Sequence, residues 1–150
     1  MEITMTKDKI ISVLESYFQS KAETYDLDVA FLYGSWAGGY PKEESDIDVA
    51  VMFSEEMSEE KVFDLINSLS LNLTILLRHE TDVLYIDSEL SKPMLHYNAI
   101  VRGIPVFIRD FTRYVDIKMK AISQMEDFSI FGLKWQSEVV KNRLEAFNHA

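Results

Sequence analysis

Apolar residues recur along this chain with two alternating periods. Ile10, Ile11, Val13, Leu14, Tyr17 and Phe18 return at helical spacing, which predicts an amphipathic helix over about residues 6–22. Asp26 and Asp28 then lead into the apolar run Val29-Ala30-Phe31-Leu32-Tyr33, short enough to be a buried strand. Residues 34–45 are small, polar or proline, as in a loop around a short helical turn. From Asp46 to Phe53 the pattern alternates: Asp46, Asp48, Ala50 and Met52 share one face of a strand, and Ile47, Val49, Val51 and Phe53 the other.

Ser58 followed by Glu59 and Glu60 has the form of a helix N-cap with acids set favourably against the helix dipole. Val62, Phe63, Ile66 and Leu69 supply that helix with an apolar face. A third strand is expected over 82–86, a helix over about 89–102 stopped by Gly103 and Pro105, and a short extended piece over 104–108. Beyond Asp110 the chain is helix-compatible, and Gly132 predicts a break into two helices. No repeat or linker interrupts the chain. The expectation is one α/β (α+β) domain over 1–150, with a core to about residue 109 and a helical tail over 110–150.

Composition narrows the chemistry. A chain of 150 residues with 47% hydrophobic content can bury about 70% of its unfolded surface. Its 15 basic against 25 acidic residues give a net charge of −10, which argues against DNA or other non-specific nucleic-acid binding through a basic surface. The absence of cysteine excludes disulfides, zinc–thiolate sites and thiol nucleophiles. The polar N-terminus lacks the apolar segment of a signal peptide, and no apolar run approaches the ~20 residues of a membrane span. Cytoplasmic residence, with no membrane partner, is the expectation.

The informative segment is Gly34-Ser35, ten residues, then Asp46-Ile47-Asp48. Residues two apart on a strand project to one face, so Asp46 and Asp48 present paired carboxylates. Close, partly buried carboxylates repel, and one is driven toward protonation unless a cation neutralises them. All-oxygen ligands without nearby Cys or His select Mg²⁺ or Mn²⁺. Gly34 allows close backbone approach to an anion, and the amides and hydroxyl around Ser35 can bond phosphate oxygens. A phosphate-binding turn beside a metal-binding pair is a place to hold a metal–nucleotide. Two metals about 3.5–4 Å apart would stabilise both the attacking and the leaving oxygen of an in-line displacement. Separately, Asp-x-Asp and Gly-Ser are commonplace; in this spacing between two strands they are informative.

Gly-Ser-x₁₀-Asp-x-Asp resembles the signature of the polymerase β-like nucleotidyltransferase superfamily. More narrowly, the chain resembles the minimal nucleotidyltransferases that act as antitoxins beside HEPN-domain toxins. The matching residues are Gly34-Ser35, Ala37, Gly39, Ser45-Asp46-Ile47-Asp48-Val49-Ala50-Val51, Thr81-Asp82-Val83-Leu84 and Gly103-Ile104-Pro105-Val106-Phe107. The resemblance implies a small mixed sheet flanked by helices, and a nucleotide site at Gly34, Ser35 and Ser45. It also implies a third carboxylate on the next strand. Asp82 matches that position, to share a metal with Asp46 and Asp48 and to help deprotonate an acceptor hydroxyl. Asp87, of opposite parity at the far end of that strand, is the poorer candidate.

The function implied is that of an antitoxin in a type VII-like pair. It would transfer AMP from ATP, with Mg²⁺ or Mn²⁺, to a tyrosine of a HEPN RNase toxin held in a hetero-oligomeric complex. Two alternatives stand beside it: neutralisation by binding alone, and nucleotide transfer to a small molecule or RNA end. One departure bears on the choice. Where the family often has Gly-Ser-Arg-Ala-Arg-Gly, this chain has Gly34-Ser35-Trp36-Ala37-Gly38-Gly39, so metal, backbone amides and Lys42 would have to meet the phosphate charge. Trp36 is placed either to stack on a base or to plug the core. Arg78-His79-Glu80 reads as a polar turn, and His79, His96 and His149 share no ligand spacing. The apolar residues of the tail are either a docking surface or the other half of the core.

Overall fold

The computed structural model describes residues 5–38 and 45–148, with the side chains of 128–136, 139, 147 and 148 left aside. Helix α1 (Lys7–Tyr25) begins where the Thr6 hydroxyl accepts the Lys9 N–H at 3.3 Å. Ile10, Leu14, Phe18 and Ala22, four residues apart, form its buried stripe. It runs on to Tyr25 because Asp26, at φ 55°, closes it with a left-handed cap whose N–H reaches the Ala22 and Glu23 carbonyls. Strand β1 (Leu27–Tyr33) follows, then the one-turn helix α2 (Ser35–Gly38) and strand β2 (Ile47–Phe53).

Helix α3 (Glu59–Leu77) starts at Ser58, whose hydroxyl accepts the Lys61 N–H, and buries Leu69, Leu73 and Leu77. Strand β3 (Thr81–Tyr85), helix α4 (Pro93–Ile100), strand β4 (Ile104–Ile108) and helix α5 (Phe111–Asn148) complete the order. The sheet runs β3-β2-β1-β4. The β1–β2 and β1–β4 pairs are antiparallel, whereas β2–β3 is parallel and crosses over through α3.

Helices cover both faces of this mixed sheet. Ile47, Val49, Val51 and Phe53 pack with Ile10, Leu14 and Phe18 of α1 and with Leu69, Leu73 and Leu77 of α3. Ala50 and Met52 pack on the other side, with Ala99 and Ile100 of α4 and with Ile117 and Ala121 of α5. The two parities read from β2 thus lie in two separate hydrophobic layers. The start of α5 belongs to the core, while residues 140–146 are exposed.

Two helices differ from expectation. α4 begins at Pro93 rather than near residue 89, because the Asp87 carboxylate accepts the Ser91 N–H (3.1 Å) and Oγ–H (2.9 Å) and holds a turn there. Leu90 within it has φ 53°, and proline suits the first helical position. α5 is one helix of 38 residues rather than two. A single glycine costs a helix about 1 kcal/mol, and no proline lies in the segment to interrupt its ladder.

The base of α5 is tied to the sheet by charge. Buried Asp28 pairs with Arg113 Nε and accepts the Ser54 hydroxyl at 2.9 Å. Arg109 reaches Asp26 Oδ1 (3.1 Å), Ser54 Oγ (2.9 Å) and the Ala22 carbonyl (3.2 Å). Arg113→Met removes the cation and leaves a buried carboxylate short of a partner. It is expected to lower unfolding stability by ~1–3 kcal/mol in urea titrations, and less in an Asp28→Asn background.

Candidate active site

Three strand ends meet at one rim of the sheet. β1 leaves it through Gly34 at φ 76°, and β2 and β3 begin there side by side. The register sets Tyr33 opposite Asp48 and Asp48 opposite Asp82. A Cβ built on Gly34 would fall on the Asp48 carboxylate, so this glycine is required by both its backbone angle and the space it leaves. Ser35 stands exposed in the first turn of α2, where the Gly38 N–H bonds the Gly34 carbonyl at 3.1 Å.

The carboxylates gather just beyond. Asp46, Glu80 and Asp82 each offer an oxygen, and these oxygens lie within 4.8 Å of one another. Burial, with Asp82 and then Asp46 adding negative charge, pushes Asp48 up to about 6. Burial and Asp46 raise Asp82 in the same direction. Tyr33 is pushed up to about 12 by burial and by Asp48 and Asp82, so its phenol stays neutral beside the acids. Close carboxylates with only oxygen donors on offer form a set that a hard divalent cation fits.

Glu80 joins this cluster although its sequence context reads as a polar turn. A signal for it is present in the sequence: Glu80-Thr81-Asp82 repeats the acid-x-acid spacing of Asp46-Ile47-Asp48. The Ile47 N–H donates to the Glu80 carbonyl at 2.9 Å, which sets the first residues of β2 and β3 side by side. Asp87 lies elsewhere, engaged with Ser91 and 3.7 Å from His96 Nδ1.

Trp36 is in the core: it is 6% exposed, packs in the layer of α1 and α3, and donates its indole N–H to the Ser45 carbonyl at 3.0 Å. It therefore does not supply a stacking face to a base. His79 also meets that carbonyl, through Nε2 at 2.6 Å, and its ring lies edge-on to Trp36 at 5.7 Å. A carbonyl only accepts, so this ring nitrogen carries the proton. Gly38 is exposed with open space around it, and Gly39 and Lys42 lie outside the described residues.

The raised Asp48 sets a pH dependence. A proton on Asp48 competes with a cation, so Mn²⁺ affinity is expected to weaken below pH 6, approaching tenfold per pH unit for one displaced proton. Calorimetry in buffers of different ionisation enthalpy would count that proton. In metal-free protein the folded state holds this proton more tightly than the unfolded chain, whose carboxyl titrates near 3.8. Stability from this group is therefore fully present below pH 3.8 and lost as pH rises through about 6.

A turn that can receive phosphate, facing carboxylates on adjacent strand ends, is the arrangement of a nucleotide-transfer centre. The model of the polymerase beta nucleotidyltransferase family matches residues 8–112, and the chain belongs to that family. Among solved structures, it is similar to a chain of a toxin–antitoxin crystal structure with AMP-PNP. The identity is 18% and the TM-score 0.62, over 91% of this chain and 99% of that one. It is similar as well to a chain of a tri-AMPylated HEPN toxin in complex with MNT antitoxin from Shewanella oneidensis. There the identity is 16% and the TM-score 0.62, over 87% of this chain and 98% of that one. A structure of the toxin–antitoxin MntA-HepT gives 16% identity and a TM-score of 0.62, over 86% and 98%. At these identities the likeness is one of fold. Among curated proteins no match was found.

Proposed function

We propose that this protein is an antitoxin that transfers AMP from ATP to a tyrosine hydroxyl of a HEPN-domain toxin. The observation that carries the reading is the cluster of Asp46, Glu80 and Asp82, with Asp48 set against the Gly34 turn beside it. The AMP-PNP and the AMPylated toxin in the structures of similar fold support it.

Gly34, Ser35 and Ser45 would bind the nucleotide, with exposed amides of the turn donating to phosphate oxygens. Asp46, Asp48 and Asp82 would hold Mg²⁺ or Mn²⁺, which when bound supplies positive charge against the phosphates. Asp82, the most exposed of the three, takes the acceptor proton. The acceptor oxygen then bonds the α-phosphorus as the bond to the pyrophosphate oxygen breaks. Residues to about 109 form the catalytic core and 110–150 the helical tail, together one domain. The complex with toxin is hetero-oligomeric and resides in the cytoplasm; among the described residues no helix is long and apolar enough to cross a membrane.

The test is intact mass spectrometry of the HEPN toxin after incubation with this protein, ATP and Mg²⁺. Additions of AMP mass, absent with Asp46→Asn/Asp48→Asn, are expected. Transfer to RNA ends or small molecules instead would redirect the reading. One observation favours a second reading, neutralisation by binding alone: Trp36 turns into the core where the family often has arginine. A stable complex with unmodified toxin would be its outcome.

A further inference from the structure

We propose that Trp36 and His79 are positioning residues of this centre: by holding the Ser45 carbonyl between them, they set Asp46 against Glu80 and Asp82. The inference rests on the metal–nucleotide reading of the site and adds to it a device behind the carboxylates. Asp46 precedes β2: the Ile47 N–H bond to the Glu80 carbonyl holds the peptide on its C-terminal side, and the peptide on its N-terminal side lies beyond the ladder. Ionised together, Asp46, Glu80 and Asp82 repel at this range, so the backbone that carries them has to hold their spacing.

The peptide joining Ser45 to Asp46 is restrained from the opposite side. Indole Nε1 reaches its carbonyl at 3.0 Å and imidazole Nε2 at 2.6 Å, from two rings that meet edge-to-face at 82°. Each donor is itself anchored. Trp36 sits in the layer under α1 and α3. His79 sits on a segment tied to α3: the Thr81 N–H donates to Thr74 Oγ1 at 3.1 Å, and the Ser70 hydroxyl to the Thr81 carbonyl at 2.6 Å. Thr81 Oγ1 in turn donates to the His79 carbonyl at 3.0 Å. Three segments, namely α2, the residues leading into β2 and those leading into β3, therefore converge on one oxygen. The tryptophan that stands where the family often has arginine thus takes a role inside the fold.

Removing such an outer support ordinarily weakens metal affinity by about 10–100-fold, whereas a side chain that only fills space changes stability. The full-length protein would be titrated with Mn²⁺ by electron paramagnetic resonance, with melting temperatures measured in parallel. His79→Ala, at a partly exposed position, and Trp36→Phe, which keeps a ring in the core, are each expected to weaken Mn²⁺ binding about tenfold or more. His79→Gln, whose amide N–H can reach the same carbonyl, is expected to recover most of the loss. Wild-type affinity in folded His79→Ala or Trp36→Phe would overturn the proposal. If the wild-type protein itself took up no Mn²⁺, the metal–nucleotide reading would fail first and this inference with it.

Discussion

Asp48→Asn is expected to abolish nucleotide transfer and, at pH 7, to raise the melting temperature of the metal-free protein. The two effects share one cause. Asp48 is half-buried beneath the Gly34 turn with Asp82 and Asp46 as neighbours, an environment that lifts it to about 6. Its charge is therefore held against the local field of the metal-free protein. Asparagine keeps the shape and removes that charge. After screening by solvent the relief is worth roughly 1 kcal/mol, or about 2–4 °C for a chain of this length. Charge stabilisation by a correctly held metal is worth several kcal/mol in the transition state, so transfer should fall at least ~10³-fold. Scanning calorimetry with a mass assay of the acceptor would check both. A variant that melted lower and still transferred AMP would refute this account of Asp48.

Gly34→Ala should be nearly as damaging, by a steric route. An L-residue at φ 76° costs about 1–2 kcal/mol, and the new methyl would overlap the Asp48 carboxylate. We expect a loss of about 2–4 kcal/mol in urea titrations together with a fall of about 100-fold or more in transfer. Gly38→Ala is the control. Its Cβ meets nothing within 4 Å, so stability should be unchanged or slightly improved. Combining Gly34→Ala with Asp48→Ala should cost less than the sum of the separate changes, because the second removes the obstruction created by the first.

What the sequence discloses is what period and parity encode. β2 alternates strictly, so its two faces can be assigned before any coordinates, and Asp46 and Asp48 follow from the same count. The Gly34 loop is legible because glycine, proline and serine punctuate it. The break expected at Gly132 is absent, because one weak residue does not outweigh a long hydrogen-bonded ladder. Pro93 marks the start of α4, yet apolar periodicity draws the expected boundary four residues too early; the Asp87–Ser91 turn that decides it is made by side chains. Glu80 and His79 look like a polar turn because their partners are distant in sequence. Only the parallel register of β2 and β3 brings Glu80 to Asp46 and His79 to Ser45. Trp36 stays open between two roles for a similar reason, since its place in the core depends on α1 and α3 together.

The crossover from β2 through α3 to β3 has a consequence for how the molecule assembles. Asp46, Asp48, Glu80 and Asp82 all come from this one continuous stretch, and the first two meet the last two only when β3 docks alongside β2. That docking brings like charges together, so gathering the charge belongs to folding itself. A divalent cation held by these carboxylates would act as a counterion for folding. A chain refolding with magnesium should then close its sheet against less resistance than one refolding in a chelator, so the candidate site would be completed as the fold is.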